Sequence, residues 1–160
     1  MPNNKLNFLG IGPKIARVML PWLAVVIFLS VKFKSVFTYF NPSNAILFTT
    51  GIVFVTTGLA LYFATLPLLL KGLRETRLVT EVAFKLCVNP LYASILILII
   101  PGASFLMNSW LMLTVSIAGY VLFKIHIQEE YREMENFFGE SYVNYRKRTS
   151  EFLPMIFRKK

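Results

Sequence analysis

Two long stretches of this chain carry no charge: residues 35–70, between Lys34 and Lys71, and residues 86–123, between Lys85 and Lys124. A helix that crosses a bilayer needs about 20 mostly apolar residues in succession. At 36 and 38 residues, each stretch exceeds a single crossing. Composition agrees, since charged residues make up 16% of the chain against about 25% in ordinary soluble domains. Mean hydropathy is +0.59. A chain of 160 residues is long enough for one bundle and no second domain. Residues 1–160 therefore read as a single all-α integral membrane domain.

Turn chemistry divides the stretches. Val18 to Val31 is a further apolar run, preceded by Lys14 and Arg17 and followed by Lys32, Phe33 and Lys34 rather than a small-residue cleavage site. It reads as an uncleaved first span, 15–31, with Pro21 tolerated in the first turn. The cluster Asn41-Pro42-Ser43-Asn44 marks a turn before a second span, 45–70. Pro67 is expected to kink or loosen that span's last turn. Gly51 and Gly58, seven apart, can admit a neighbouring helix. In the 86–123 stretch the best turn is Met107-Asn108-Ser109, which leaves arms 91–106 and 110–123. Arms of this length reach only about 21–24 Å, short of a hydrocarbon core about 30 Å thick. Pro101-Gly102 weakens the first arm further. The expected fold is about four transmembrane helices, including a short helical hairpin whose tip can lie inside the membrane, and an amphipathic helical tail, 124–160.

Basic residues set the orientation. Lys5, Lys14 and Arg17 lie at the N-terminal end of the first span, four Lys and Arg run from Lys71 to Lys85, and eight more follow from Lys124. Of seventeen in all, only Lys32 and Lys34 fall on the other side. The positive-inside rule puts the larger group in the cytosol, with both termini, in the plasma (inner) membrane. The net charge of +9 thus reads as a topology and anionic-lipid signal. No nucleic-acid motif accompanies it, so no nucleic-acid partner is expected.

Single residues exclude other chemistry. Cys87 is the only cysteine and His126 the only histidine. No internal disulfide can form, the lone thiol reads as a small buried hydrophobe, and a metal site is not expected.

All eight acidic residues lie in two polar segments, 71–90 and 124–160, which this topology brings to one membrane face. In the second, Tyr131, Met134, Phe138, Tyr142 and Tyr145 recur at steps of 3, 4, 4 and 3, a helical apolar stripe. Gly139 is expected to break it into two short helices, the second starting near Ser141. On pattern alone this is an amphipathic helix in the interface, with Glu129 and Glu130 on a solvated face.

The same residues resemble a family. Leu78-Val79-Thr80 with Asn89-Pro90-Leu91-Tyr92, and then Glu130, Met134, Phe138-Gly139, Tyr142, Tyr145 and Phe152-Leu153-Pro154, are similar to the signatures of the isoprenylcysteine carboxyl methyltransferase and phospholipid methyltransferase superfamily. The resemblance covers Leu78 to Pro154, about half of the chain. It implies S-adenosylmethionine as cofactor, bound at the cytosolic face without a Rossmann domain, and a lipid or other lipophilic small-molecule acceptor that arrives through the bilayer. It also implies Glu130 as the catalytic carboxylate, with Phe84, Asn89, Pro90, Tyr92, His126, Glu129, Glu130 and Tyr142 at the cofactor. Val82 stands where the family usually has Gly, Val88 where it usually has Arg, and Tyr131 takes the second of two Glu positions. A one-residue slip would instead make Glu129 and Glu130 the pair. A phospholipid N-methyltransferase and a non-catalytic membrane protein that keeps the fold remain alternatives.

Reporter fusions after Lys34 and after Lys160 are expected to report opposite sides of the membrane. The same side for both would refute the four-span arrangement.

Overall fold

A computed structural model of the protein describes residues 10–39 and 45–152. The Asn41–Asn44 turn, Leu153-Pro154 and the basic residues Lys5, Arg158, Lys159 and Lys160 lie outside the described residues. All regular structure among the described residues is helical. Three helices are long and apolar enough to cross a membrane: α1 (Gly12–Lys32), α2 (Ala45–Arg74) and α4 (Trp110–Phe138). Between the last two runs the shorter apolar α3 (Pro90–Leu106), and α5 (Glu140–Arg148) follows α4. Ile46, Leu20, Phe63 and Ile117 are 63–79% exposed on the outside of the bundle. Apolar faces of this extent mark a membrane protein.

Each of the four apolar helices differs in some respect from the sequence expectation. Pro21 sits well inside α1 rather than in its first turn, because the helix already starts at Gly12, with Pro13 in the tolerated first-turn position. Pro67 likewise lies inside α2, which runs on to Arg74. The second hairpin arm is no short segment: its helix passes Lys124 without a break and ends only at Phe138. The onset of charge at residue 124 changes the helix's surroundings and not its backbone bonding. At about 1.5 Å per residue, the 29 residues of α4 extend beyond a core about 30 Å thick. Only α3 is short, and Pro101-Gly102 does not interrupt it. A π-helical stretch, Ser94–Ile99, precedes the proline and accommodates the lost N–H by shifting the hydrogen-bond register.

Gly51 and Gly58 face α3, where Gly102 meets α2 in turn. A Cβ on Gly102 would stand 2.8 Å from Val55 Cγ2 and 2.9 Å from the Val55 backbone nitrogen. α1 packs on α4 through Ile15, Met19 and Val26 against Val115, Phe123 and Ile127. Serines fasten the turn between α3 and α4. Ser30 Oγ lies 2.8 Å from Ser109 Oγ, Ser104 donates to the Ser109 carbonyl, and Tyr39 bonds Ser104. All three serines are buried, where an unpaired hydroxyl would be costly. At the opposite end, the start of α1 meets α4 through an Ile11–Glu130 hydrogen bond and a Lys14–Glu129 ion pair. The loop between α2 and α3 meets α5 there as well. The basic segments therefore gather at one end of the bundle.

Gly102→Ala is expected to destabilise the protein by about 1–3 kcal/mol, because backbone stands in the methyl's way. Gly12→Ala, whose Cβ would meet only the Tyr92 hydroxyl at 3.9 Å, serves as the comparison. Equal melting temperatures for the two in detergent would show that α2 and α3 do not pack as described.

Candidate functional site

The loop between α2 and α3 turns back on itself at Gly72, whose carbonyl accepts the Arg77 N–H at 2.8 Å. A 3-10 turn, Val82–Lys85, then carries the chain to α3. Val82 has φ +53°. A β-branched residue rarely adopts this left-handed conformation, which glycine takes freely. Val82 is the position where the family resemblance calls for glycine.

Asn89 ends the loop and is buried. Its amide donates to the Tyr131 hydroxyl at 2.6 Å and to the Glu151 carbonyl at 3.2 Å. The backbone N–H groups of Val88 and Asn89 reach the Ser150 and Glu151 carbonyls. Tyr131 in turn donates a hydrogen bond to Glu151 Oε1 at 3.2 Å, and Lys124 pairs with Glu151 Oε2 at 2.6 Å. Arg146, bonded to Glu135, stacks 3.9 Å above the Tyr131 ring. Four segments thereby meet at one polar junction.

Beside the junction lies a cavity of about 70 Å³, lined by Phe84, Asn89, Pro90, Tyr92, Glu130 and Tyr142 together with Leu69, Leu73, Val79, Val88, Met134, Phe138 and Tyr145. Glu130 Oε2 accepts the Ile11 N–H at 3.1 Å and faces the Tyr92 hydroxyl at 3.4 Å. Its other oxygen has no partner among the described residues. Tyr145 donates to the Phe84 carbonyl at 2.7 Å and so ties α5 to the loop. Burial pushes the Tyr142 and Tyr145 phenols upward in pKa, so both stay protonated donors at neutral pH. Arg77 stands at the rim. Tyr92, Glu130, Met134 and Leu91 also line a second, larger groove with Tyr62, Leu66, Leu70, Ile95 and Glu133, reaching Gly10 and Gly12. The two cavities meet at the Tyr92–Glu130 wall.

Of the eight residues proposed from sequence, six line the first cavity and two do not. Glu129 is exposed and ion-paired with Lys14. One residue of helix rotates the chain by about 100°, which turns Glu129 outward where Glu130 turns in. His126 lies one turn before Glu130 on α4 and lines neither cavity. Sequence reasoning missed Ile11 and Glu151, whose parts depend on contacts 119 and 62 residues away in the chain. Cys87 is buried, and burial pushes its thiol up to about 11. It stays protonated and inert at neutral pH. Among the described residues no cluster of His, Cys, Asp and Glu is arranged to hold a metal ion. No protein-family model, curated protein or solved structure matches the chain.

Val82→Gly is expected to stabilise the protein by up to about 1 kcal/mol, the left-handed strain relieved less the added freedom of the unfolded glycine. The Val82 side chain is 58% exposed, so little packing is lost. Thermal unfolding of the purified variant measures the gain, and a lower melting temperature would show that this backbone is unstrained.

Proposed function

We propose that this protein is a membrane-embedded methyltransferase that uses S-adenosylmethionine and acts on a lipophilic acceptor, with both termini and the cavity mouth in the cytosol. The observation that carries this reading is the meeting of two cavities at Glu130. One is small, aromatic and placed at the basic end of the bundle. The other is apolar and opens between helices.

The donor set fits the cofactor. The unpartnered Glu130 oxygen accepts from a ribose hydroxyl or an amino group, and the faces of Phe84, Tyr92 and Tyr142 attract a sulfonium. When bound, the cofactor supplies an electrophilic methyl group, and as the acceptor's lone pair forms the new bond to carbon the old bond breaks to leave a neutral thioether. Such a displacement needs little from side chains beyond alignment. Leu69, Leu73 and Met134 exclude water from the wall that both cavities share. Leu66, Leu70 and Ile95 hold the acceptor's apolar part. Fifteen of seventeen basic residues on one side of the spans support the cytosolic orientation.

Titration calorimetry of the purified protein with S-adenosylmethionine tests the reading. Glu130→Gln is expected to weaken binding about tenfold to a hundredfold, the worth of one hydrogen bond to a charged group. Glu129→Gln, outside the cavity, should leave it nearly unchanged. Absence of binding by the unaltered protein would overturn the proposal. A loss at Glu129 with none at Glu130 would overturn the assignment of the carboxylate.

A further inference from the structure

The Tyr145 side of the first cavity has a second face. There Thr80 and Lys85 of the loop meet Ser141, Asn144, Arg148 and Thr149 across a polar recess, with Tyr145 as its back wall. Ser141, Asn144, Tyr145 and Arg148 run i, i+3, i+4, i+7 along one face of α5, and Thr149 follows its end. Thr80, Lys85, Ser141, Asn144, Arg148 and Thr149 all carry side-chain donors, and two of them are cations. None has a side-chain hydrogen bond or ion pair among the described residues. The acids nearby are engaged elsewhere: Glu81 with Arg77, Glu135 with Arg146 and Glu151 with Lys124. Glu140, which begins α5, is exposed and does not line the recess.

Several donors and two cations, with no carboxylate among them, match a ligand that offers several acceptor oxygens and negative charge. A phosphate does both. Its source follows from the turn that carries Lys85. Val82 and Leu86, on either side, are 58% and 50% exposed, and the turn lies between the ends of α2 and α3. Apolar side chains displayed there belong against lipid, and a lysine between them reaches the headgroup layer. The geometry points to a phosphate-binding recess, formed by Lys85, Arg148 and their hydroxyl and amide neighbours, that holds the headgroup of an anionic phospholipid. It stands apart from the methyl-transfer reading and requires no acceptor chemistry.

Native mass spectrometry of the full chain in neutral detergent, titrated with phosphatidylglycerol, measures the affinity. Replacing both cations, Lys85→Gln with Arg148→Gln, is expected to weaken binding about thirtyfold, at the usual contribution of each cation near a lipid surface. Arg17→Gln with Arg132→Gln removes the same charge away from the recess and should have far less effect. Ser141→Ala with Thr149→Ala changes no charge and should still weaken binding. All these side chains but Thr149 are exposed, so the variants should fold alike. Equal losses for the two charge pairs would mean diffuse attraction and overturn the proposal, as would unchanged affinity in the recess variants. Inorganic phosphate is the second probe. Failure of millimolar phosphate to displace the lipid supports a headgroup site, whereas ready displacement assigns the recess to soluble phosphate and overturns the lipid source.

Discussion

Asn89 offers two amide protons and one backbone N–H, and all three are bound by segments remote in the chain. Tyr131 takes one, and the Glu151 carbonyl takes the other two. The group is buried, and a buried donor left without a partner costs about 1–3 kcal/mol. The junction therefore holds the loop, α4 and the segment after α5 in one relation. Pro90, at the first position of α3, then fixes the direction in which that helix leaves. The rest of the site follows by short steps. Tyr92 stands in the first turn of α3, Glu130 immediately precedes Tyr131, and the two meet because Asn89 and Tyr131 do. The same fastening places Ser150 and Glu151 beside the loop, with α5 folded over Phe84.

Away from the junction the bundle is held by different means. In lipid, apolar burial contributes little to helix association, and close backbone approach matters more. Gly51, Gly58 and Gly102 provide that approach between α2 and α3. At the far turn, Ser30, Ser104 and Ser109 satisfy one another. The division suits a protein whose polar work is done at one end.

Much of this was legible in the sequence where local chemistry decides the outcome. Charge-free runs located the apolar helices, because no other structure can keep some 20 apolar residues together in a bilayer. The 3, 4, 4, 3 spacing from Tyr131 to Tyr145 located the face that closes the cavity, and Gly139, at φ +57°, does end α4. What failed were inferences from composition to helix ends. Lys124 changes the polarity, yet the backbone bonds run on through it to Phe138. Pro101 was expected to weaken α3, and a π-helical stretch absorbs it. The resemblance puts Glu130 at the catalytic position with Glu129 and His126 beside it at the cofactor, and spacing alone gives a face only after the register is fixed. Tyr131, through Asn89, fixes that register, and no sequence pattern shows that contact.

Glu130 stands where the two cavities and α1 meet, and its geometry limits what it can do. One oxygen is engaged by the Ile11 N–H and the Tyr92 hydroxyl, so the carboxylate cannot rotate freely. Gly10, at φ +50°, leaves no room beside it, since a Cβ there would lie 2.5 Å from Oε2. The start of α1 is thus closed against this carboxylate and braced from outside by the Lys14–Glu129 pair. A ligand that donates a hydrogen bond to the free oxygen leaves this arrangement intact, whereas one that needs both oxygens must displace the Ile11 N–H. An amide N–H removed from its acceptor in a partly buried place needs another partner. On the proposed reading, recognition of the cofactor through one oxygen is therefore favoured over a two-oxygen grip, and the tied oxygen serves to aim its neighbour.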